Sequence, residues 1–289
     1  MRYRIEHQTI LTYQQSAVKE HHIEIRLTPR ADGWQVVHQH AIKVMCADFV
    51  SRYQDYFGNT VDCFDAIAPH TELSATLVMD VETMRVNPFA FETMSPLGYE
   101  AWYQQAQLAA PQLYDYILHR SLVTPSLDKV TSRVSSLPPT RVAGSPLLDQ
   151  LINVMEWVCA VLQYETGASG VHSDLLMVLE NGAGVCQDFA HLFLTVVRSW
   201  GIPARYVMGY MDPGIGVEGE QIATHAWAEV LLPDAGWIGF DPVHQLVVND
   251  QYITVAVGRD SYDAAPLRGS YKGSDPGLPP SVSVTILNQ

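Results

Sequence analysis

The sequence predicts an α+β protein in which an antiparallel, sandwich-like β domain precedes a domain of mixed helices and strands. Stretches of the first ninety residues alternate between apolar and polar side chains with a period of two, which is typical of half-buried strands. The second half instead contains long apolar helices that are followed by short strands. A chain of 289 residues is long enough to bury a sizeable core.

The β domain is predicted from three alternating stretches with turn signals between them. In the clearest stretch, apolar residues occupy every second position: Leu73, Ala75, Leu77, Met79 and Val81. In another, alternate residues are expected to share one face: Trp34, Val36, His38, His40, Ile42 and Val44. The third stretch covers 23–27. Phe57-Gly58-Asn59 is a turn signal, because Gly and Asn tolerate positive φ.

Proline and glycine mark the expected domain boundaries. Pro111 is a suitable first residue for a second helix within 96–120, and the Pro-, Ser- and Thr-rich stretch after it is typical of a linker. We therefore predict an N-terminal β domain (1–95), a helical segment and linker (96–145), a core of mixed helices and strands (146–268) and a Gly/Pro-rich segment with a final strand (269–289).

The core is expected to contain two apolar helices and four strands. A helix over 147–163 has a broad apolar face, and a tight loop at 181–184 precedes a second helix that Gly201 and Pro203 close. The expected strands are 204–211, 223–232, 237–241 and 251–257, and the glycine-rich stretch 212–219 is expected to be a mobile loop.

Composition excludes several classes of function. Lys and Arg number 17 against 31 Asp and Glu, and the resulting charge of −14 argues against binding duplex nucleic acid or an anionic membrane. No apolar stretch reaches the 18 or so residues of a membrane span, and the start MRYRIEHQTI lacks the apolar segment of a secretory signal. We therefore expect a cytoplasmic protein.

The four cysteines are too few and too widely spaced for a disulfide scaffold or a zinc ribbon, so free thiols are expected. Cys46, Cys63 and Cys159 are interpreted as structural. Cys186 lies between a glycine-containing loop and the first turn of a helix. The unpaired N–H groups there favour a thiolate, which is the nucleophilic form, although a free cysteine is more commonly a small buried hydrophobe.

A thiol nucleophile requires a base, and His225 is the best candidate because it lies in a predicted strand that follows the glycine-rich loop, and a strand holds a base more rigidly than a loop does. A carboxylate usually orients such a histidine, and Asp241 ends the next strand. Side chains alternate along a strand, so the hairpin register decides whether the two meet. A four-residue loop turns Asp241 away from His225, whereas a five-residue loop, with Leu231 opposite Trp237, brings the two side chains together. A triad therefore predicts an odd loop or a β-bulge here.

Several motifs together resemble the bacterial transglutaminase-like superfamily. They are Gly184-Val185-Cys186-Gln187-Asp188-Phe189-Ala190-His191, Gly201-Ile202-Pro203-Ala204-Arg205-Tyr206-Val207, His225-Ala226-Trp227, Gly236-Trp237 and Phe240-Asp241-Pro242. The early part of the chain, from His22 to Pro29 and at Phe57-Gly58-Asn59, is similar to the N-terminal β domain of one bacterial subgroup. The resemblance implies a papain-like core with a catalytic triad of Cys186, His225 and Asp241.

The resemblance implies acyl transfer on a peptide or carboxamide of a peptide or protein substrate. Family members crosslink glutamine to amines, cleave peptides or amides, or have lost the triad, so hydrolysis, amine transfer and a non-catalytic scaffold all stay open. We favour hydrolysis, because water needs no binding site of its own. Gln163 and Tyr164 are candidate second oxyanion donors. No organic cofactor or metal is expected, although a histidine-based metal hydrolase is a further alternative.

Overall fold

The computed structural model describes residues 1–47, 49–91, 95–170, 173–212, 214 and 224–289. Its strands are β1 (Arg2–Thr12), β2 (Lys19–Ile25), β3 (Gln35–Val44), β4 (Val50–Gln54), β5 (Thr60–Ala66), β6 (Glu72–Thr83), β7 (Gln163–Tyr164), β8 (Ala183–Gly184), β9 (Ala204–Met211), β10 (His225–Leu232), β11 (Gly236–Asp241), β12 (Leu246–Val247), β13 (Tyr252–Gly258), β14 (Leu267–Lys272) and β15 (Ser281–Asn288). Its helices are α1 (Tyr99–Ala109), α2 (Asp115–Leu118), α3 (Leu127–Thr131), α4 (Leu147–Val161), α5 (Leu175–Asn181) and α6 (Cys186–Ser199).

The α+β class and the sandwich-like β domain are confirmed. Two four-stranded antiparallel sheets, in the orders β15-β1-β6-β3 and β14-β2-β5-β4, form the β domain. A five-stranded antiparallel sheet of order β12-β11-β10-β9-β13 forms the core, where α6 packs against β9 and β10. The short strands β7 and β8 form a separate parallel pair.

One alternation of the β domain is confirmed and another is partly wrong. Every apolar residue predicted on the inner face of β6, from Leu73 to Val81, is buried. In β3, however, the register shifts between Val37 and Gln39, so a bulge at His38 exchanges the two faces. Trp34 and Val36 precede the bulge, so they do not share a face with the later residues of this stretch as expected. Both side chains are exposed.

The C-terminal segment returns to the β domain. The predicted final strand is β15, which pairs with β1, while β14 pairs with β2. Each β-domain sheet is thus completed by residues from the far end of the chain. The domain boundaries given above stay a prediction.

The helices that frame the candidate site agree closely with those expected. α4 and α6 lie where the apolar periodicity predicts them, and Gly182 ends the unpredicted helix α5 in a left-handed conformation. Most of the predicted loop at 212–219 lies outside the described residues. The first residue of the predicted strand 223–232 lies outside them too. Within the described ranges, no helix combines the length and apolar character needed to cross a membrane.

Candidate active site

Cys186 is held at the first position of α6 by a buried hydrogen-bond network. The Asp188 carboxylate, one turn into the helix, accepts the Val185 N–H at 2.8 Å and a short hydrogen bond from the Ser169 hydroxyl. Burial raises the pKa of Asp188. A Cβ on Gly184 would stand 2.9 Å from Asp188 Oδ2, so only glycine leaves room for this carboxylate. The glycine two residues before Cys186 therefore makes room for the carboxylate that caps the helix.

The backbone of the two oxyanion candidates runs beside the strand that leads to Cys186. Gln163 pairs with Ala183 and Tyr164 with Gly184 in the parallel β7–β8 ladder. The Gln163 N–H donates to the Gly182 carbonyl at 2.9 Å. The structure thus brings both residues close to the nucleophile. Their part in binding an oxyanion stays a prediction.

The hairpin that carries His225 and Asp241 has the register that a triad requires. Leu231 lies opposite Trp237, and the pair Leu232–Gly236 closes an odd loop of three residues. The expected register and the odd loop are confirmed, although the loop has three residues rather than five. The Nε2 atom of His225 consequently lies 2.7 Å from Oδ2 of Asp241. Cys186 also lies close enough to the His225 side chain to raise its pKa.

Asp241 is completely buried and accepts hydrogen bonds at both oxygens. Oδ2 accepts from His225, from Nδ1 of His244 and from the Tyr252 hydroxyl, each at 2.7 Å. Oδ1 accepts the backbone N–H groups of Val243 and His244 at 2.9 and 3.4 Å. Burial alone opposes ionisation, but the hydrogen bonds from the two histidines outweigh it and hold the pKa of Asp241 below its usual range.

His225 is stabilised in its protonated form. Burial opposes the charge on its ring, yet the hydrogen bonds to Asp241 and Cys186 raise its pKa to about 10. An imidazolium at neutral pH places a positive charge beside Cys186.

Sequence reasoning missed His244 and Tyr252. Tyr252 comes from β13, so its approach to Asp241 depends on how that strand joins the sheet. His244 follows Asp241 by three residues, and the Asx-type turn made by Oδ1 returns its ring to the carboxylate. An Asp-Pro strand end followed by a histidine is the signal that could have indicated this contact.

The His225–Asp241–His244 group is arranged for hydrogen bonding rather than for metal binding. Ligand atoms that share one tetrahedral Zn²⁺ ion lie roughly 3.3 Å apart. Here both ring nitrogens lie 2.7 Å from the same Asp241 oxygen, which leaves no room for an ion between them. The distances support the triad rather than the metal-hydrolase alternative.

The other three cysteines are also free thiols. Burial, followed by the charge of Asp241, raises the pKa of Cys159 to about 11, and its thiol donates to the Pro242 carbonyl at 2.6 Å. Burial likewise raises the pKa of Cys63. Both shifts disfavour a reactive thiolate, which agrees with a structural role.

Gly209 gives a stability prediction for the strand beside His225, with which it pairs. A Cβ there would stand 2.1 Å from the Ile253 carbonyl oxygen and 2.6 Å from the Trp227 ring. We expect Gly209→Ala to destabilise the fold by about 1–3 kcal/mol, measured by urea unfolding. Gly33→Ala is the matched control, since its Cβ meets nothing within 4 Å. Equal stability of the two variants would contradict this account.

The chain resembles known proteins over both domains. Residues 138–242 match the transglutaminase-like superfamily, and residues 3–82 match the bacterial transglutaminase-like N-terminal region. An uncharacterised protein of Mycobacterium leprae is 37% identical over 278 residues, 94% of each chain. A protein-glutamine gamma-glutamyltransferase of Pseudomonas aeruginosa is 34% identical over 103 residues, 33% of this chain and 15% of its own length.

The fold comparison covers the whole molecule. The crystal structure of a candidate cysteine protease from Cytophaga hutchinsonii aligns with 100% of this chain and 92% of its own, with a TM-score of 0.72 and 19% sequence identity. Together with the two matched regions and the full-length relative, this likeness shows that the chain belongs to the transglutaminase-like superfamily, with a bacterial transglutaminase-like N-terminal region before a papain-like core.

Proposed function

We propose that this protein is a cysteine-dependent enzyme that transfers the acyl group of a peptide or carboxamide substrate, and that water is its preferred acceptor. The observation that carries the proposal is the continuous contact from Cys186 through His225 to the buried carboxylate of Asp241. Covalent acyl transfer requires a nucleophile, a base and a carboxylate that orients the base, each within hydrogen-bond reach of the next.

In the first half-reaction the Cys186 thiolate attacks the substrate carbonyl carbon and forms a tetrahedral intermediate. The backbone N–H of Cys186, at the N-terminus of α6, stabilises its oxyanion. The His225 imidazolium gives its proton to the departing amine as the carbon–nitrogen bond breaks, which leaves a thioester on Cys186. Gln163 or Tyr164 supplies a second oxyanion donor.

In the second half-reaction neutral His225 takes a proton from water, whose oxygen attacks the thioester carbonyl. The carbon–sulfur bond breaks, the carboxylic acid leaves, and the thiolate–imidazolium pair is restored. Asp241 holds the His225 ring in position throughout and stays ionised. No step requires a metal or an organic cofactor.

Amine transfer is the second candidate function. The similarity to a named glutamyltransferase lies over about a third of this chain and favours a primary amine as acceptor. The same triad serves either acceptor.

We also place the protein in the cytoplasm as part of the proposal. All four cysteines are free thiols, and a nucleophilic thiol is best preserved in a reducing compartment.

Mass spectrometry of glutamine-containing peptides, incubated with and without a primary amine, tests the reaction. A shortened peptide identifies a protease and loss of the amide nitrogen identifies a deamidase, both of which support hydrolysis. A gain of the amine's mass with release of ammonia supports amine transfer instead. Unchanged peptides across a broad panel would contradict enzymatic acyl transfer and favour a scaffold.

Thiol labelling tests the ion pair. At pH 7 we expect iodoacetamide to label Cys186 first, and His225→Ala to slow that labelling roughly tenfold, because the thiolate loses its counter-ion. The raised pKa of His225 means that its charge is lost as pH rises through about 10, so the two proteins should react equally there. Uniform labelling of all four cysteines, or an equal rate in the variant at pH 7, would contradict the pair.

A further inference from the structure

Side chains of the β domain cover the outer edge of the core sheet. β13 is the last strand of that sheet and pairs with β9 on its inner side. On its outer side, the Thr254 N–H donates to Oε1 of Gln35 at 2.9 Å, and Nε2 of Gln35 donates to the Thr254 carbonyl at 2.7 Å. A primary amide offers both an acceptor and donors, so it satisfies both backbone groups of one strand residue. The Gln35 side chain thus covers an edge that would otherwise be unpaired.

Asn59 makes the same pair of contacts three residues farther along β13. Its Oδ1 accepts the Val257 N–H at 2.8 Å, and its Nδ2 donates to the Val257 carbonyl at 2.7 Å. Asn59 belongs to the turn signal Phe57-Gly58-Asn59. Asn59 and Gln35 are almost completely buried, with exposed fractions of 0% and 3%. Both contacts therefore lie in the interior, where the loss of a hydrogen-bond partner is costly.

These contacts hold β13 where its pairing with β9 is interrupted. The register of the β9–β13 ladder shifts between Thr254 and Ala256, which leaves Val255 as a bulge. Gln35 binds before this bulge and Asn59 binds after it. The position of β13 at this point consequently depends on the β domain as well as on β9.

The β domain also holds the residue that leads into β13. The hydroxyls of Thr83 and Tyr3 donate to the Asp250 carbonyl at 2.5 and 3.3 Å. Tyr252, the first residue of β13, therefore lies between two sets of contacts with the β domain. Its hydroxyl donates to Oδ2 of Asp241 at 2.7 Å. The approach of this hydroxyl to the buried carboxylate thus depends on how the β domain holds both flanks of Tyr252.

We propose that three β-domain residues position the triad by holding β13 where the Tyr252 hydroxyl reaches Asp241. These positioning residues are Gln35, Asn59 and Thr83. The inference rests on the proposed function and assigns the β domain a part in it. A base stays aligned only while its carboxylate keeps its orientation, and a misplacement of about 1 Å that starts far from the reacting atoms can slow catalysis about 10²-fold.

A double-mutant cycle with Tyr252→Phe tests the proposal. Gln35→Met removes the amide at a similar side-chain length, and Tyr252→Phe removes the hydroxyl through which Gln35 acts. The probe is p-nitrophenyl acetate, which releases nitrophenol when it acylates the thiol. Gln150→Met is the matched control, because the Gln150 amide likewise accepts from and donates to the backbone of one residue, Val142, in another part of the fold.

We expect Gln35→Met to lower kcat about fivefold and Tyr252→Phe about tenfold. KM should stay unchanged, because both variants disturb Asp241 rather than the substrate. In the Tyr252→Phe background, Gln35→Met should have almost no further effect. Full multiplication of the two losses, or an equal loss in Gln150→Met, would overturn the proposal, because either result indicates a general loss of stability. Urea unfolding shows whether each variant is folded.

Alkylation of Cys186 by iodoacetamide gives a readout that does not depend on turnover. Gln35→Met should slow it in the wild-type background and not in Tyr252→Phe, whereas equal rates in wild type and Gln35→Met would overturn the positioning role. Nitrophenol release that is equal in Cys186→Ala and wild type would contradict the proposed function, and the alkylation rates would then decide the positioning role by themselves. Thr83→Val, which removes the hydroxyl but keeps the shape, replaces Gln35→Met if that variant does not fold.

Discussion

Replacement of Cys186 by alanine should lower kcat/KM for the peptide substrate by about 10⁴-fold or more, because no other group can form the thioester. The midpoint of urea unfolding should shift by no more than is usual for a small substitution at a buried position. Cys186→Ser is the conservative variant, since it preserves shape and hydrogen bonding but supplies a far weaker nucleophile. Both variants are assayed by peptide mass spectrometry and by unfolding.

Cys46→Ala is the matched control for this experiment. Cys46 is an exposed thiol, so its removal should leave both activity and stability unchanged. If Cys186→Ala were as active as wild type, the proposed mechanism would be wrong. If Cys46→Ala were equally inactive, the effect of the first variant would reflect general thiol chemistry.

Asp241 should be the position where one substitution damages both activity and stability most. Asp241→Asn keeps the shape but presents the wrong donor–acceptor pattern to His225, and we expect kcat to fall by about 10⁴-fold. Asp241→Ala also leaves five donors without their acceptor, of which the His244 ring is exposed to solvent and the others are buried or partly buried. We expect a loss of about 3–5 kcal/mol in the free energy of unfolding.

The pH dependence of stability provides a second readout for Asp241. Its pKa is lowered by folding, so its contribution is complete above the unfolded value of 3.8 and is lost as pH falls below it. Asp241→Asn should lack this acid-dependent loss. Tyr252→Phe removes one donor and should cost only about 1 kcal/mol. An acid profile of Asp241→Asn that matches wild type would show that the carboxylate is not held ionised by its partners.

The placement of the three candidate residues could be predicted because each lies beside a local signal. Glycine before a helix start indicates the position of Cys186, and a predicted strand after the glycine-rich loop indicates that of His225. The parity of the hairpin loop then decides whether Asp241 can reach His225, and the structure has the required register. Local rules succeeded here because helix ends and hairpin registers depend on residues close in sequence.

Other features depended on contacts between distant parts of the chain. Tyr252 reaches Asp241 only because β13 joins the far edge of the core sheet, and His38 lies at a bulge that period-two patterning could not anticipate. The closing strands of both β-domain sheets come from the last 25 or so residues. Strand pairing of this kind is decided by packing across the whole molecule.

By itself, the sequence determined the α+β class, the two apolar helices of the core and the three residues of the candidate triad. These features follow from residue periodicity, helix-terminal signals and short hairpins, all of which are local. Only the tertiary structure decided that Asp241 receives five hydrogen bonds and that the C-terminal strand completes the β domain. Each of these arises where residues far apart in sequence are packed together, so no local pattern records them.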